Sequence, residues 1–313
     1  MKNKIQSMPT FLEFLKNIVS IMPRGRMPLL NILYRYFPYG LFWGKWQGIK
    51  MIFNFRDRDS WMLYFNKVSE RYQTPYFKLF LSSGMKMVDI GANNGYYSLL
   101  ASTLVDKIDI YAFEANPILV EQLEIVVNEN QLKDKIKIVS CAVSDKNGIE
   151  KFDFSNASHQ GTGHIVLNEL KEELVPVKSI TMDSWMNDNR IDYVDIMKVD
   201  VEGAEMNVLK GMEYHLKSQA IGVLFIEVHN DLLPLFGTSS SALFAFLKSQ
   251  EYVVKVLPSE FEILKGDRYN PKIENIPVFD LEKLDSRTDN WWHCIAFSKE
   301  KYIHYESLLT YTN

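Results

Sequence analysis

The chain lacks the features that define several protein classes. Only two of its 313 residues are cysteines, Cys141 and Cys294, too few for a disulfide framework or a zinc spacing. Both fall in strand-like runs and read as buried thiols in a reducing, cytoplasmic setting. No run of 18 or more apolar residues occurs, so no membrane-spanning helix is expected. Glu13, Lys16 and Asn17 interrupt the first apolar stretch, which argues against an export signal. The Asn156-Ala157-Ser158 sequon is then an accident of sequence. No internal repeat is visible. No basic stripe interleaved with aromatics runs through residues 81–313, so nucleic acid is not an expected partner.

What is present is a sizeable core and an uneven charge. Hydrophobic residues make up 47% of the chain, enough for a full α/β core with an accessory segment. Residues 1–80 hold 13 Lys/Arg against 4 Asp/Glu, a balance of +9, and residues 81–313 hold 22 against 35, a balance of −13. The basic segment either faces an anionic partner or docks on the acidic remainder. Residues 9–22 carry apolar side chains at helical spacing, flanked by Lys2, Lys4, Arg24 and Arg26. Such a helix packs on a core or lies on an anionic membrane surface. Residues 41–55 read as β-like and Trp61–Phe80 as helical. The chain thus divides into a cap at 1–80, a main domain at 81–300 and a tail at 301–313.

The most informative segment is Met87-Val88-Asp89-Ile90-Gly91-Ala92-Asn93-Asn94-Gly95-Tyr96-Tyr97. An apolar strand ends in an acid, turns through two glycines and enters a helix, leaving free N–H groups at the helix start. Alternating strands and helices follow, which predicts an α/β fold: an open, doubly wound, mostly parallel sheet with a helical and β cap before it. A dinucleotide site needs glycine at the third and sixth positions from Gly91, where Asn93 and Tyr96 stand. A nicotinamide-dependent oxidoreductase is therefore the weaker alternative. No Gly-Lys-Ser/Thr follows, so a P-loop is excluded. The turn suits a nucleoside without phosphates. Glu114, at the end of the second strand, stands where such folds bind ribose hydroxyls, although an acid there also favours the next helix.

VDIGANNGYYS, AFEANP, CAVSD, VPVKSITMDSW, KVDVEGAEMNVLKGM and FIEVHN follow one another from residue 88 to residue 230. In that order and at those spacings the chain resembles the FkbM family of S-adenosylmethionine-dependent methyltransferases, over roughly residues 80–257 and the strand near Trp292–Phe297. The resemblance implies a Rossmann-like fold, S-adenosylmethionine as cofactor, and a sugar, glycan or secondary metabolite as methyl acceptor. Asp89, Gly91, Asn93, Gly95, Glu114 and Ala142 are the candidate cofactor residues. The basic cap points to an anionic acceptor as a refinement. The alternative from another class is a non-catalytic cofactor-binding scaffold.

In the strand order that the resemblance implies, the strand 194–200 neighbours the first. Asp200 then lies near the Gly91 turn, with Glu202, Glu205, Glu227 and His229 on the same rim. An alcohol is a poor nucleophile at neutral pH, so a general base is expected beside the acceptor. His229 has the natural pKa for that work, with Asp200 or Glu202 as substitutes; these three are the candidate catalytic residues. Glu202 and Glu205 could equally serve only the helix dipole, and Lys198 only as a partner of Asp200. The acids and imidazole could also hold a divalent cation, but their spacing defines no octahedral site, so no metal ligands are assigned. The polar tract 158–164 reads as part of a lid over the cofactor.

Overall fold

The computed structural model describes residues 5–22, 26–36, 40–154, 164–165, 174–258, 271–281 and 291–310. Eight strands form its main sheet: β1 (Met85–Ile90), β2 (Ile108–Glu114), β3 (Ile136–Ser140), β4 (Val194–Val199), β5 (Ile221–His229), β6 (Val253–Val256), β7 (Phe279–Asp280) and β8 (Trp291–Phe297). Their spatial order is β3-β2-β1-β4-β5-β8-β6-β7. The first five are parallel, and β8 runs antiparallel to β5 and β6. This is the open, doubly wound, mostly parallel sheet expected of the sequence. The strand order reverses between β1 and β4, and their carboxyl ends open the crevice that such a switch point creates.

β5 is buried along nearly its whole length, as a central strand covered on both faces must be. β4 is also buried, and Lys198 is the one charged side chain it carries into that layer. The cap consists of α1 (Thr10–Ile21), α2 (Arg26–Tyr36), a hairpin of Leu41–Trp46 with Ile49–Asn54, α3 (Arg58–Asn66) and α4 (Gln73–Phe80). The helix expected over Trp61–Phe80 is two helices. Asp57 caps α3 by accepting from the Asp59 and Ser60 N–H groups, and Lys67 closes it in the left-handed region. The cap shares its core with the sheet: the Phe80 ring lies 6.0 Å from Phe225, 5.7 Å from Phe297 and 4.3 Å from Tyr305. The tail closes over this cluster as the helix Lys299–Tyr305.

Two other expectations change. The sequence pattern predicts a third strand over 136–143, but it stops at Ser140, and Ala142–Val143 leave the main sheet to pair with Val175–Ile180. That segment also pairs with Gly148–Asp153, so the insertion carries its own small sheet beside the crevice. Residues 158–163 of the expected lid tract lie outside the described residues. The spacing of residues 203–216 predicts one helix, but the segment forms two, Glu205–Lys210 and Glu213–Lys217. Gly211 marks the break, because a Cβ there would lie 2.0 Å from the Ser144 carbonyl oxygen.

Candidate functional site

The Gly91 turn is built by hydrogen bonds to its neighbours. Gly91 and Ala92 both donate their N–H groups to the Phe113 carbonyl, at 3.0 and 2.9 Å. Gly91 has φ of +77° and touches the end of β4 so closely that a Cβ would stand 1.8 Å from the Asp200 carbonyl oxygen. Glycine is required there by both conformation and space. Asp89, buried at the end of β1, accepts from the Ser98 N–H and hydroxyl at 3.1 and 2.6 Å, which ties the strand to α5 (Tyr96–Leu104).

Two cavities meet at this turn. One is a slot of about 80 Å³ between the main sheet and the insertion, whose walls include Glu114, Ala115, Ala142, Phe152 and Phe154. The other is a basin of about 390 Å³ between the sheet and the cap, walled by Arg58, Ser69, Glu70, Asp89, Tyr97 and Lys198 among others. Gly91, Asn93, Asp200 and Glu202 line both. Of the expected cofactor residues, Gly91, Asn93, Glu114 and Ala142 line the slot, while Asp89 faces the basin. Gly95 lines neither and caps α5 in the left-handed region.

The slot has the chemistry a nucleoside needs. Glu114 receives the Asn93 and Asn116 N–H groups, each at 2.7 Å, on its two separate oxygens. Each oxygen keeps a further lone pair for a ribose hydroxyl. Burial holds this carboxyl up at about 7, against the pull of those N–H groups. Ribose hydroxyls donate best to the ionised form, so the affinity for S-adenosylhomocysteine is expected to rise as pH increases through about 7. Calorimetry at stepped pH checks this, and Glu114→Gln should flatten the profile. The Phe152 and Phe154 rings, stacked 5.5 Å apart at 11°, cover the slot on the insertion side.

The floor of the basin is a network of charges. The Lys198 ammonium lies 3.4 Å from Asp200 Oδ2, 3.5 Å from Glu70 Oε2 and 3.7 Å from Glu227 Oε2. Burial alone would strip its proton, but these carboxylates override that and hold it charged. His229 Nδ1 sits 2.7 Å from Oε1 of the fully buried Glu205. Its Nε2 faces Glu202 Oε2 at 3.5 Å, Glu227 Oε1 at 3.8 Å and Asp200 Oδ1 at 4.0 Å. Burial, which would lower the His229 pKa, is outweighed by the Glu205 hydrogen bond and the Glu227 and Glu202 charges, and the pKa rises to about 10. Asp200 and Glu202 are both raised, first by burial and further by repulsion from Glu227, despite the nearby cations. Glu227 moves the other way, because His293, Lys198 and His229 override its burial. Glu202 has φ of +53°, a strained conformation for a non-glycine residue and one often kept at functional sites.

The structure thus brings Asp200, Glu202 and His229 together as expected. It adds Glu70 from the cap, which accepts from the Tyr97 hydroxyl at 2.6 Å and from Gln73. It also adds His293 from β8, paired in register with Glu227 on β5. No motif marks either residue. Glu70 lies between two helices whose boundary the sequence hides, and His293 is placed only by the antiparallel insertion of β8. Among the described residues, two trios could hold a metal ion: Glu70, Glu227 and His293, and Asp200, Glu227 and His229.

Known proteins share this part of the chain. The hexuronic acid methyltransferase AglP of Haloferax volcanii is 28% identical over 146 residues, covering 47% of this chain and 56% of that one. The chain therefore spans just over half of that relative's length. The 2-O-methyltransferase NoeI of Sinorhizobium fredii is 25% identical over 178 residues, covering 48% of this chain and 71% of that one. A solved precorrin-6y C5,15-methyltransferase from Geobacter metallireducens, 14% identical, overlaps 73% of this chain and 87% of its own with a TM-score of 0.39. Residues 89–254, from the acid that ends β1 into β6, match the Methyltransferase FkbM domain, and the chain belongs to that family.

Proposed function

We propose that the protein transfers a methyl group from S-adenosylmethionine to a hydroxyl of a sugar, a glycan or another small metabolite. The observation that carries this is the meeting of slot and basin at Gly91, Asn93, Asp200 and Glu202. One cavity offers a ribose acceptor in Glu114, the other is large enough for a monosaccharide, and carboxylates stand where they join. The names of the two relatives, a hexuronic acid methyltransferase and a 2-O-methyltransferase, support a sugar as acceptor.

When bound, S-adenosylmethionine supplies a methyl group already activated by its sulfonium, so the protein has to place the acceptor and remove its proton. Glu114 would hold the ribose, and Ala115, Ala142 and Phe152 would enclose the purine. At the junction, Asp200 faces two cationic groups, Lys198 at 3.4 Å and His229 at 4.0 Å, whereas Glu202 is paired with His229 alone, at 3.5 Å, among the described residues. Glu202 therefore takes the acceptor proton. His229 does not serve as the base expected from sequence. Three carboxylates require positive charge at its Nε2, so that nitrogen is not free to accept a proton from substrate, and the ring lines neither cavity.

The basic balance of residues 1–80 would favour an anionic acceptor, but the basin sets Asp59, Glu70, Asp89, Asp200, Glu202 and Glu227 against Arg58, Lys198 and His293. Those walls support an uncharged, polyhydroxylated acceptor. The test is transfer of a labelled methyl group across a panel of neutral and acidic glycans and metabolites. An alkali-stable ether on a neutral sugar is expected. An alkali-labile methyl ester on a uronic acid, or no transfer by protein that binds the cofactor, would contradict the proposal.

The cap supports a peripheral membrane contact. α1 buries Leu12 and Val19 but leaves Phe11, Phe14 and Ile18 exposed at one-turn spacing, and lysines and arginines flank it in sequence. Among the described residues no helix is long and apolar enough to cross a membrane. Flotation with anionic vesicles should carry the protein upward, and Phe14→Ser with Ile18→Ser should abolish this. Equal flotation with neutral vesicles would remove the electrostatic part.

A further inference from the structure

The second trio differs from an ordinary acidic cluster. Asp200, Glu227 and His229 come from the ends of two neighbouring parallel strands, and one ligand atom from each lies within 4.8 Å of the others. His229 Nε2 is 4.0 Å from Asp200 Oδ1 and 3.8 Å from Glu227 Oε1. These separations are too long for hydrogen bonds. They lie at the long end of the spacing between neighbouring ligands of one ion with bonds of about 2.0–2.4 Å, so binding would draw the three groups inward.

The imidazole is also prepared for coordination. Glu205 holds Nδ1 at 2.7 Å and so fixes the ring with Nε2 toward the carboxylates, where a bound cation would take the place of the Nε2 proton. His229 is over nine-tenths buried. The two acids present distinct oxygens to distinct partners. Asp200 Oδ2 and Glu227 Oε2 face Lys198, while Oδ1 and Oε1 face His229. Lys198 thus neutralises one side of the pair and leaves the other open. Across the whole network, Glu70, Asp89, Asp200, Glu202, Glu205 and Glu227 stand against the Lys198 ammonium and the His229 and His293 imidazoles.

We infer that Asp200, Glu227 and His229 bind one divalent cation at the floor of the basin, an inference that rests on the basin being the acceptor site. Two carboxylates with one imidazole suit Mn²⁺ well among the divalent ions. Asp200 and Glu227 line the basin while the buried His229 does not, so an ion held by the three would sit at the basin wall, within reach of neighbouring hydroxyls of a sugar. Glu202, outside the trio, stays available for the proton. Such an ion supplies the positive charge that Nε2 requires, and it gives the enzyme a reason to prefer acceptors with adjacent hydroxyls.

The test is calorimetric titration of the metal-stripped full chain with MnCl₂ at neutral pH, beside a titration with S-adenosylhomocysteine. One saturable Mn²⁺ site per chain is expected, absent in Glu227→Gln and about tenfold weaker in Glu205→Gln, which loosens the grip on His229. Both variants should bind S-adenosylhomocysteine as wild type does, which shows that they fold. Wild-type protein that binds S-adenosylhomocysteine but shows no saturable Mn²⁺ site overturns the inference. So does a site that survives intact in Glu227→Gln. Failure of wild type to bind S-adenosylhomocysteine would instead overturn the functional proposal on which it rests.

Discussion

Glu202→Gln is expected to lower kcat by about a thousandfold, the middle of the range for removing a general base, while leaving the Kd for S-adenosylhomocysteine unchanged. The change keeps the size of the side chain and its place at the junction of slot and basin, but removes its capacity to accept a proton. Glu202 is set there by a left-handed backbone at the end of β4, a conformation that the fold maintains against its intrinsic strain. Single-turnover kinetics separates the chemical step from product release. A wild-type rate in this variant would clear Glu202 and return the proton to Asp200.

Gly91→Ala is expected to weaken S-adenosylhomocysteine binding about a hundredfold and to lower stability together with it. The added Cβ would lie 1.8 Å from the Asp200 carbonyl oxygen, and the backbone at +77° already disfavours a side chain. Relief requires β1 and β4 to separate at the point where both cavities are formed. Strain of this kind costs on the order of 4 kcal/mol, or roughly 6 °C in Tm for a chain of this length. The two readouts should move together, because one clash produces both. Unchanged affinity and Tm would mean that the turn and Asp200 are not in contact.

The fold and half of the site were legible in the sequence for definite physical reasons. The parallel strands β1, β2, β4 and β5 are apolar runs punctuated by turn residues, and a central strand has to read that way. Gly91, Glu114 and Asp200 could be placed because each stands at the end of such a strand, at the switch point that the topology creates. The cap boundaries were less legible. The Asp57 cap and the left-handed Lys67 divide one apolar-periodic stretch into α3 and α4, and periodicity alone does not register either device. Gly211 broke a predicted helix for a similar reason, since its contact with the Ser144 carbonyl is tertiary. The proposed role of His229 departs from the sequence reading, which takes it as the base because an unperturbed imidazole suits that role. Only the fold shows Glu205 behind the ring and three carboxylates in front of it. Glu70 and His293 reach the basin from opposite ends of the chain, and no local pattern could have placed them there.

A structure of the protein soaked with S-adenosylhomocysteine tests the central claim most directly. The ribose should lie on Glu114 with the purine beside Ala142, and the sulfur should point past Gly91 toward Asp200 and Glu202. A ligand seated elsewhere, or a slot that admits NAD and refuses S-adenosylhomocysteine, would contradict the account.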